Sequence, residues 1–427
     1  MKSGLKIIHW IIFLWLLLVI IRFELIIDYL SLIFSYISLF FTDTSSAFAV
    51  LSFSFVDASL STMFFLLIIP LILFYRKRFH FITSKLNFSF GFLIVLGFVF
   101  LFAPIISNEN PEFSKNLSVT KLLPPLSSVK QFELKSEIDN NLSDAEFFRK
   151  ESEEVIKPPF NDNIILADSF RLSDKVIYYQ KNEAYEIEKE SLISKTGIPV
   201  IQEKFYLLGT DEFGRDLFAR LIHGTRISIT VGLGAVVLSF IIGIILGFIA
   251  GYRGGFPDVL LNRITEIFLA FPVIYLVVLI LALFGSSIFS VIIVLGISGW
   301  MSLFKIVKSE VLSIKQKDFF STAELVGLSK LQLLSREILP VIIAPVLVNM
   351  VFLFSNVVLA EAALSYLGLG TGGSYPSWGS MISSGQEYIT KAWWLIAFPG
   401  LGLILTLFTF NSSGRMLGKV LNPRLKK

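Results

Sequence analysis

The chain is 427 residues long, 54% hydrophobic and 16% charged, with a mean hydropathy of +0.74, a balance that places it with polytopic membrane proteins and excludes one large soluble core. It has no cysteine, which excludes disulfide frameworks, thiolate metal sites and cysteine nucleophiles together. The net charge of +4 does not point to nucleic acid, because residues 107–205 hold 18 acidic and 13 basic side chains and the rest hold 15 and 24; the basic excess belongs to the membrane region, where it reports orientation.

In chain order, apolar runs cover Leu5 to Ile21, Leu60 to Tyr75, Phe88 to Ile106, Ile227 to Gly251, Ile264 to Phe284, Ile288 to Leu303, Val341 to Leu364 and Trp394 to Phe410. Most are near the roughly 20 residues needed to cross a bilayer. A further run, Leu25 to Phe41, is different. Glu24, Asp28, Ser31, Ser35, Ser38 and Thr42 recur there at alternating steps of four and three, which draws a polar stripe along a helix. It is read as an interfacial or packed amphipathic helix, which leaves the eight runs above as the spans. A ninth span with an outside N-terminus is the alternative.

Lys and Arg cluster at Arg76 to Lys85, at Arg253 and Arg263, from Lys305 to Arg336 and from Arg415 to Lys427. Assigning all four clusters to the cytoplasm puts the C-terminus inside and Ser107 to Phe205 outside. That outer stretch has mixed charge, Pro124-Pro125 and Pro158-Pro159 as punctuation, and strand-like pieces at Asn163 to Leu166 and Lys175 to Tyr179, so it is expected to form a small α+β insert. After it, Gly209 to Asp216 is a turn-forming, charge-balanced entry to the membrane, and Leu217 to Gly224 suits an interfacial helix. Gly243, Gly247 and Gly251 then align at four-residue spacing, a packing face for another helix. Arg263 and Glu266 read as anchors near the cytoplasmic surface.

Asp318 to Pro340 is a polar island between apolar runs. Asp318 is expected to cap a short helix with Phe319, Ala323 and Val326 on one face, and Gly327 to end it in a left-handed turn. Ser329 and Gln332 form a capping box for a second short helix that should stop near Leu339, because Pro340 follows. A two-helix platform on the cytoplasmic face is suited to a soluble partner.

Catalytic motifs are absent from the sequence. The stretch nearest to a P-loop, Ser413 to Val420, lacks the first glycine at the right spacing and the final hydroxyl. His9, His80 and His223 lie far apart, and there is no Ser-His-Asp arrangement, His-Glu-x-x-His helix or acidic metal cluster. The chain is not expected to be an enzyme or to bind a cofactor or metal.

Leu208-Gly-Thr-Asp-Glu-Phe-Gly-Arg-Asp216, Gly251-Tyr-Arg-Gly-Gly255, Ala270-Phe-Pro272, Ala360-Glu-Ala-Ala-Leu-Ser-Tyr-Leu-Gly-Leu-Gly370 and Pro376-Ser-Trp-Gly379 occur together in this order. In this the chain resembles the inner-membrane permease subunit of ABC importers of the dipeptide, oligopeptide and nickel family, the second of the two permeases they pair. The resemblance covers roughly residues 88–106 and 207–427. It implies an all-α polytopic membrane protein whose core is the six-helix transmembrane domain of these importers. Residues 1–87 would add about two N-terminal spans, 88–106 would be the first core span, 107–205 the extracytoplasmic α+β insert and 206–427 the rest of the core.

The polar island, residues 318–340, then corresponds to the EAA loop that docks on the ATPase, with Phe319, Phe320, Ser321, Thr322, Ala323, Glu324, Gly327, Leu339 and Pro340 as coupling residues. Two departures stand out. Ser321-Thr322-Ala323 replaces the usual Glu-Ala-Ala, leaving Glu324 as the nearby acid, and about eighty N-terminal residues have no counterpart in the family pattern. Asn349, Asn356 and Glu361 fall near one face of a span and are candidates for the translocation path.

The implied function is ATP-driven import of peptides across a bacterial cytoplasmic membrane. The implied partners are a second permease, two ABC ATPases carrying ATP and Mg, an extracytoplasmic binding protein and membrane lipid, with no nucleic acid. Import of nickel or another small solute on the same scaffold, an ion-coupled secondary transporter, and a scaffold or receptor built around the outer domain are the alternatives. The secondary transporter predicts coupled charges deep in the spans and an inverted repeat; neither is visible beyond Glu361.

Overall fold

The computed structural model describes residues 6–75, 87–107, 109–135, 143–195, 198–270, 272–372 and 375–421. The basic residues within 76–86 and 422–427, with Lys2 and Phe271, lie outside the described residues. The fold is mostly helical with small sheets, and seven of its described helices are long and apolar enough to cross a membrane, or eight if one bent pair is a single span. The all-α polytopic class with an α+β insert is therefore what the chain adopts. It divides into two compact units, residues 1–87, 94–226 and 384–399 in one and residues 88–93, 227–383 and 400–427 in the other.

In the first unit, α1 spans Ile7–Ile21 and α2 Phe23–Thr42. The 15 residues of α1 extend about 22 Å at 1.5 Å per residue, short of a hydrocarbon core of about 30 Å, whereas the 20 residues of α2 reach it. By length alone, then, α2 reaches across a bilayer and α1 falls short of it. Next come α3 (Thr44–Val50) and α4 (Phe53–Tyr75). Asp43 caps α3, its carboxylate accepting from the Ser45 and Ser46 backbone amides; hydrogen bonds from the Ser46 and Ser45 hydroxyls and amides lower its pKa to about 2. Helix α5 (Phe88–Ile106) leads toward the insert.

The insert contains α6 (Leu117–Thr120), β1 (Ser127–Glu133), α7 (Asp144–Val155), β2 (Ile164–Ala167), β3 (Ser169–Leu172), β4 (Val176–Gln180), β5 (Glu183–Ile187), β6 (Ser194–Lys195), β7 (Ile198–Pro199) and β8 (Ile201–Tyr206). The two strand-like pieces seen in the sequence are β2 and β4. Strands order as β2-β1-β8, β3-β4-β5 and β6-β7, all antiparallel, with Lys130 opposite Ala167 on one side and Glu203 on the other. Val119, Val129, Leu166 and Tyr206 fill one small core; Phe132, Ala167, Val176 and Leu192 fill the next.

Helix α8 (Leu217–Arg253) is one continuous 37-residue helix. The separate interfacial helix expected over Leu217 to Gly224 does not exist, because nothing between His223 and Ile227 breaks the backbone ladder. The second unit takes up α8 at Ile227 and continues with α9 (Gly255–Ala270) and α10 (Val273–Phe284). The single span expected over Ile264 to Phe284 is instead a broken pair bent by 87°. Pro272 lies at the break and lacks an amide donor. Helix α11 (Ile288–Lys315) runs well past Leu303. It is followed by α12 (Asp318–Leu325), α13 (Lys330–Gln332), a π-helical segment (Leu333–Ile338), α14 (Leu339–Tyr366), α15 (Trp378–Gly385) and α16 (Trp394–Leu421).

Close packing in the second unit follows small residues. A Cβ placed on Gly243, Gly247 or Gly251 would come within 2.6, 2.7 or 2.8 Å of a side-chain carbon of Leu303, Val307 or Val311. Two rows of four-residue spacing, one of glycines and one of branched side chains, thus bring α8 and α11 into backbone contact.

Candidate coupling site

The platform at residues 318–340 sits on an apolar cluster formed by Phe248, Val307, Val311, Ile314, Phe320, Leu333, Ile338 and Ile342. Leaving α11, the chain turns at Gln316 and Lys317, and Lys317, with extended φ −96° and ψ 140°, takes the N-cap position of α12 without a side-chain bond. Asp318 is therefore not the cap. It lies in the first helical turn, where its negative charge suits the positive end of the helix dipole.

The face of α12 that carries Phe319 and Val326 is not its buried one. Phe320 is 1% exposed and Ala323 packs beside it, whereas Phe319 is 45% and Val326 76% exposed. The exit from α11 sets which face meets the core, and the helix's own periodicity does not contain that information. Ser321 and Thr322 are exposed, with the Thr322 hydroxyl donating to the Asp318 carbonyl at 2.9 Å.

Gly327 ends the helix at φ +85°, the left-handed region that glycine enters without a Cβ penalty. The Ser329 amide donates to the Gln332 side chain at 2.8 Å and the Gln332 amide to the Ser329 hydroxyl at 3.4 Å, closing the capping box. The second short helix does not stop at Leu339. The Leu339 amide reaches back five residues to the Leu334 carbonyl, and this wider π turn carries the chain past Pro340, which stands in the first turn of α14. Re-registering the ladder there absorbs the missing proline donor, so Lys330 to Tyr366 is one long helix. Leu339 packs on the cluster and Pro340 is exposed.

Tyr252 ties the platform to α8. Its ring stacks on Phe248 at 5.3 Å and meets Phe320 edge-on at 6.4 Å, and its hydroxyl lies near the Glu324 carboxylate. The Lys315 ammonium donates to the Tyr252 carbonyl at 2.8 Å and lies 5.5 Å from the ring centroid. Glu324, the acid read as a substitute for the missing glutamate, is exposed and lies beside this tyrosine of its own chain. On the same side, Lys308 pairs with Asp258 at 2.5 Å, joining α11 to α9. Sequence reasoning used Gly251 to Gly255 only as a family signature and missed Tyr252; an aromatic at the end of a glycine-lined helix was the available signal.

The three path candidates do not converge. Asn349 accepts from the Ser302 hydroxyl at 2.9 Å and Asn356 is exposed. Glu361 lies five residues beyond Asn356, well around the helix, and is fully buried. Ser228 donates to it at 3.0 Å and Ser365 at 2.7 Å, with the Ser377 hydroxyl nearby. Ser228 also accepts from the Trp378 amide at 3.3 Å. Glu361 therefore holds α8, α14 and the start of α15 together. Among the described residues no group of three acidic or histidine side chains is placed to hold a metal.

In the first unit, Gly209 to Asp216 folds back on the insert. The Arg215 guanidinium bonds Asp211 at 2.7 Å and Glu112 at 2.6 Å, and Arg220 bonds Glu112 at 2.5 Å. Glu109 pairs with Lys157 at 2.6 Å and Lys204 at 3.0 Å. Burial pushes its carboxyl up, but Lys204 and Lys157 outweigh that and hold it below its ordinary value. Asp216, the residue before α8, is raised to about 6, chiefly by burial. Trp394 donates from its indole to the Thr210 carbonyl at 3.1 Å.

The described residues form a helical membrane fold that carries a short-helix platform between two long, apolar helices. A profile of the family described as binding-protein-dependent transport system inner membrane component matches residues 243–427. A peptide transport system permease protein, itself designated putative, of Brucella suis is 41% identical over 221 residues, covering 52% of this chain and 74% of that protein. The di/tripeptide transport system permease of Pseudomonas aeruginosa is 38% identical, with 52% and 73% covered. The oligopeptide permease of Bacillus subtilis is 37% identical, again with 52% and 73% covered. An inward-facing structure of the MetNI methionine ABC transporter aligns over 48% of this chain and 98% of its own at 16% identity, with a TM-score of 0.40. The chain belongs to the family of binding-protein-dependent transport system inner membrane components.

Proposed function

We propose that this chain is a permease subunit of an ATP-driven peptide importer. It works with a second permease, two cytoplasmic ATPases that carry ATP and Mg, and an extracytoplasmic binding protein, in a bacterial cytoplasmic membrane with its C-terminus and the 318–340 platform inside and residues 107–205 outside. The peptide permeases among its relatives support the substrate class. The observation that carries the coupling role is the platform itself: Phe319, Leu325, Val326 and Leu331 stay exposed around a turn fixed by Gly327, while Phe320 beneath them is locked to Tyr252 and α11. A rigid apolar rim on a well-packed base suits insertion into a groove of a soluble partner. Because α11 and α14 leave the platform in opposite directions along the chain, movement of a docked ATPase reaches both helices and can bias a two-state membrane domain.

In the assembled transporter, Gly327→Pro or Ala323→Trp is expected to lower transport at least tenfold while ATP hydrolysis persists and the protein remains in the membrane. Normal transport in both variants would remove the coupling role.

A further inference from the structure

Helix α2 presents three stripes in one register. Leu25, Tyr29, Leu32 and Leu39 are buried, with Tyr36 partly so, against α1, α3, α4 and α7. Phe23, Ile27, Leu30, Phe34, Ile37 and Phe41 recur at steps of four and three and are exposed, Phe34 by 74% and Phe41 by 82%. Glu24, Asp28, Ser31, Ser35, Ser38 and Thr42, each one residue further on, form the third stripe and are exposed except for half-buried Ser35. At about 100° per residue these stripes lie on separate arcs of the helix, and a shorter apolar line of buried Ile26, half-buried Ile33 and exposed Phe40 joins the buried stripe to the exposed apolar one.

Of the helices packed against α2, α4 is apolar and α7 is a water-type helix. Helix α7 carries Arg149, Lys150, Glu151, Glu153 and Glu154 and starts at a Ser143–Glu146 capping box. It contacts α2 through Phe148, which lies 5.5 Å from the Tyr36 ring and 5.3 Å from that of Phe55. A helix in the hydrocarbon core cannot keep a polar stripe along its full length and a charged neighbour on another side. Yet α2 keeps an exposed apolar stripe, and Phe13, Leu16, Leu17 and Ile20 of neighbouring α1 are exposed as well. Its polar stripe is acidic and hydroxylic with no lysine or arginine, so attraction to anionic headgroups is not what holds it.

We propose that α2 lies along the membrane surface as an interfacial anchor. Its apolar stripe meets acyl chains, its polar stripe lies among headgroups and water, and its third face grips α7, so the insert is moored to the bilayer by α2 as well as by the chain connections at α5 and α8. The 20 residues of α2 are long enough to cross, but are used lying down. Which leaflet is involved rests on the orientation proposed above. An error there would reverse the side from which α2 is labelled and leave its depth pattern unchanged, so the two failures are distinguishable.

The absence of cysteine makes the test direct. Single spin-labelled cysteines at Ile27, Phe34 and Phe41, and at Asp28, Ser35 and Thr42, would be placed in the full-length chain within its transporter, reconstituted in phosphatidylcholine–phosphatidylglycerol vesicles. Oxygen and a water-soluble nickel chelate would then be used as relaxants. All three apolar-stripe sites should sit at one shallow depth, with an oxygen-to-chelate ratio at least tenfold above their polar-stripe neighbours. A depth maximum at Phe34, with Asp28 and Thr42 reached from opposite sides, would show a crossing and overturn the proposal. Exclusion of both relaxants from the apolar stripe would show a protein occupant and also overturn it. For the mooring, Phe34→Asp with Phe41→Asp should raise protease cleavage within the insert several-fold, and an unchanged rate would sink that claim.

Discussion

Around the insert, Glu112 receives two guanidinium groups and Glu109 two ammonium groups, and the chain closes there through charge. Along α8 and α11, closure comes from glycines laid against Leu303, Val307 and Val311, and from Phe320 pressed among apolar neighbours. The contrast teaches which solvent each region was shaped by. Ion pairs at a partly hydrated surface keep some solvation and need only good geometry, whereas in lipid there is no hydrophobic gain in joining helices and contact area must supply the attraction. Within the second unit, Glu361 is buried against serine hydroxyls, while Lys308 and Asp258 join α11 to α9 through an ion pair.

The comparison can be tested in descending order of effect. Phe320→Ala removes a fully buried ring and is expected to cost about 3–5 kcal/mol locally, detaching α12; loss of ATPase coupling together with new protease cleavage between residues 316 and 332 would register it. Gly247→Leu should separate α8 from α11 at a cost of about 3 kcal/mol, read as a lower unfolding temperature that added salt does not change. Glu112→Ala strands two arginines beside Asp211, at an expected cost of about 2 kcal/mol. Its effect should be confined to the insert and vary with salt, the opposite of the glycine variant. Arg263→Ala breaks only an exposed pair with Glu266 and should change stability by less than about 0.5 kcal/mol.

Two carboxyl groups give the insert a pH dependence of opposing signs. Asp216 has a raised pKa, so the folded state binds the proton more tightly than the unfolded chain; the stability it contributes is complete below about 3.8 and is lost as pH rises through about 6. Glu109 has a lowered pKa, so its contribution is present above about 4.5 and disappears as pH falls through its folded value. Insert stability should therefore peak on the acid side of neutrality. Asp216→Asn should flatten the limb between about pH 4 and 6, as measured by unfolding of the purified protein across that range.

Much of the coupling platform was legible locally. Gly327, the Ser329–Gln332 box and the boundaries of α12 depend on side chains within a few residues of one another, and those calculations need no tertiary information. The face presented by α12 was not legible, because Phe319 and Phe320 are equivalent by composition and only the path out of α11 chooses between them. Pro340 misled for a related reason. A proline stops a regular helix, but packing of Leu333 and Ile338 into the cluster favours a wider turn over an end. Pro272 behaved as a local rule says it should, breaking the run that hydropathy had joined.

The sequence by itself determined the membrane class, the insert, the family motifs and the small-residue stripe, since each is written in composition or in a spacing shorter than two helical turns. Only the tertiary structure decided that Glu361 is tied to Ser228, that Tyr252 packs against Phe320 of the platform, and that α7 covers one face of α2. Those outcomes join residues tens to more than a hundred positions apart. They depend on which surfaces meet after the chain has folded, and hydrophobic periodicity marks a surface as buried without naming what buries it.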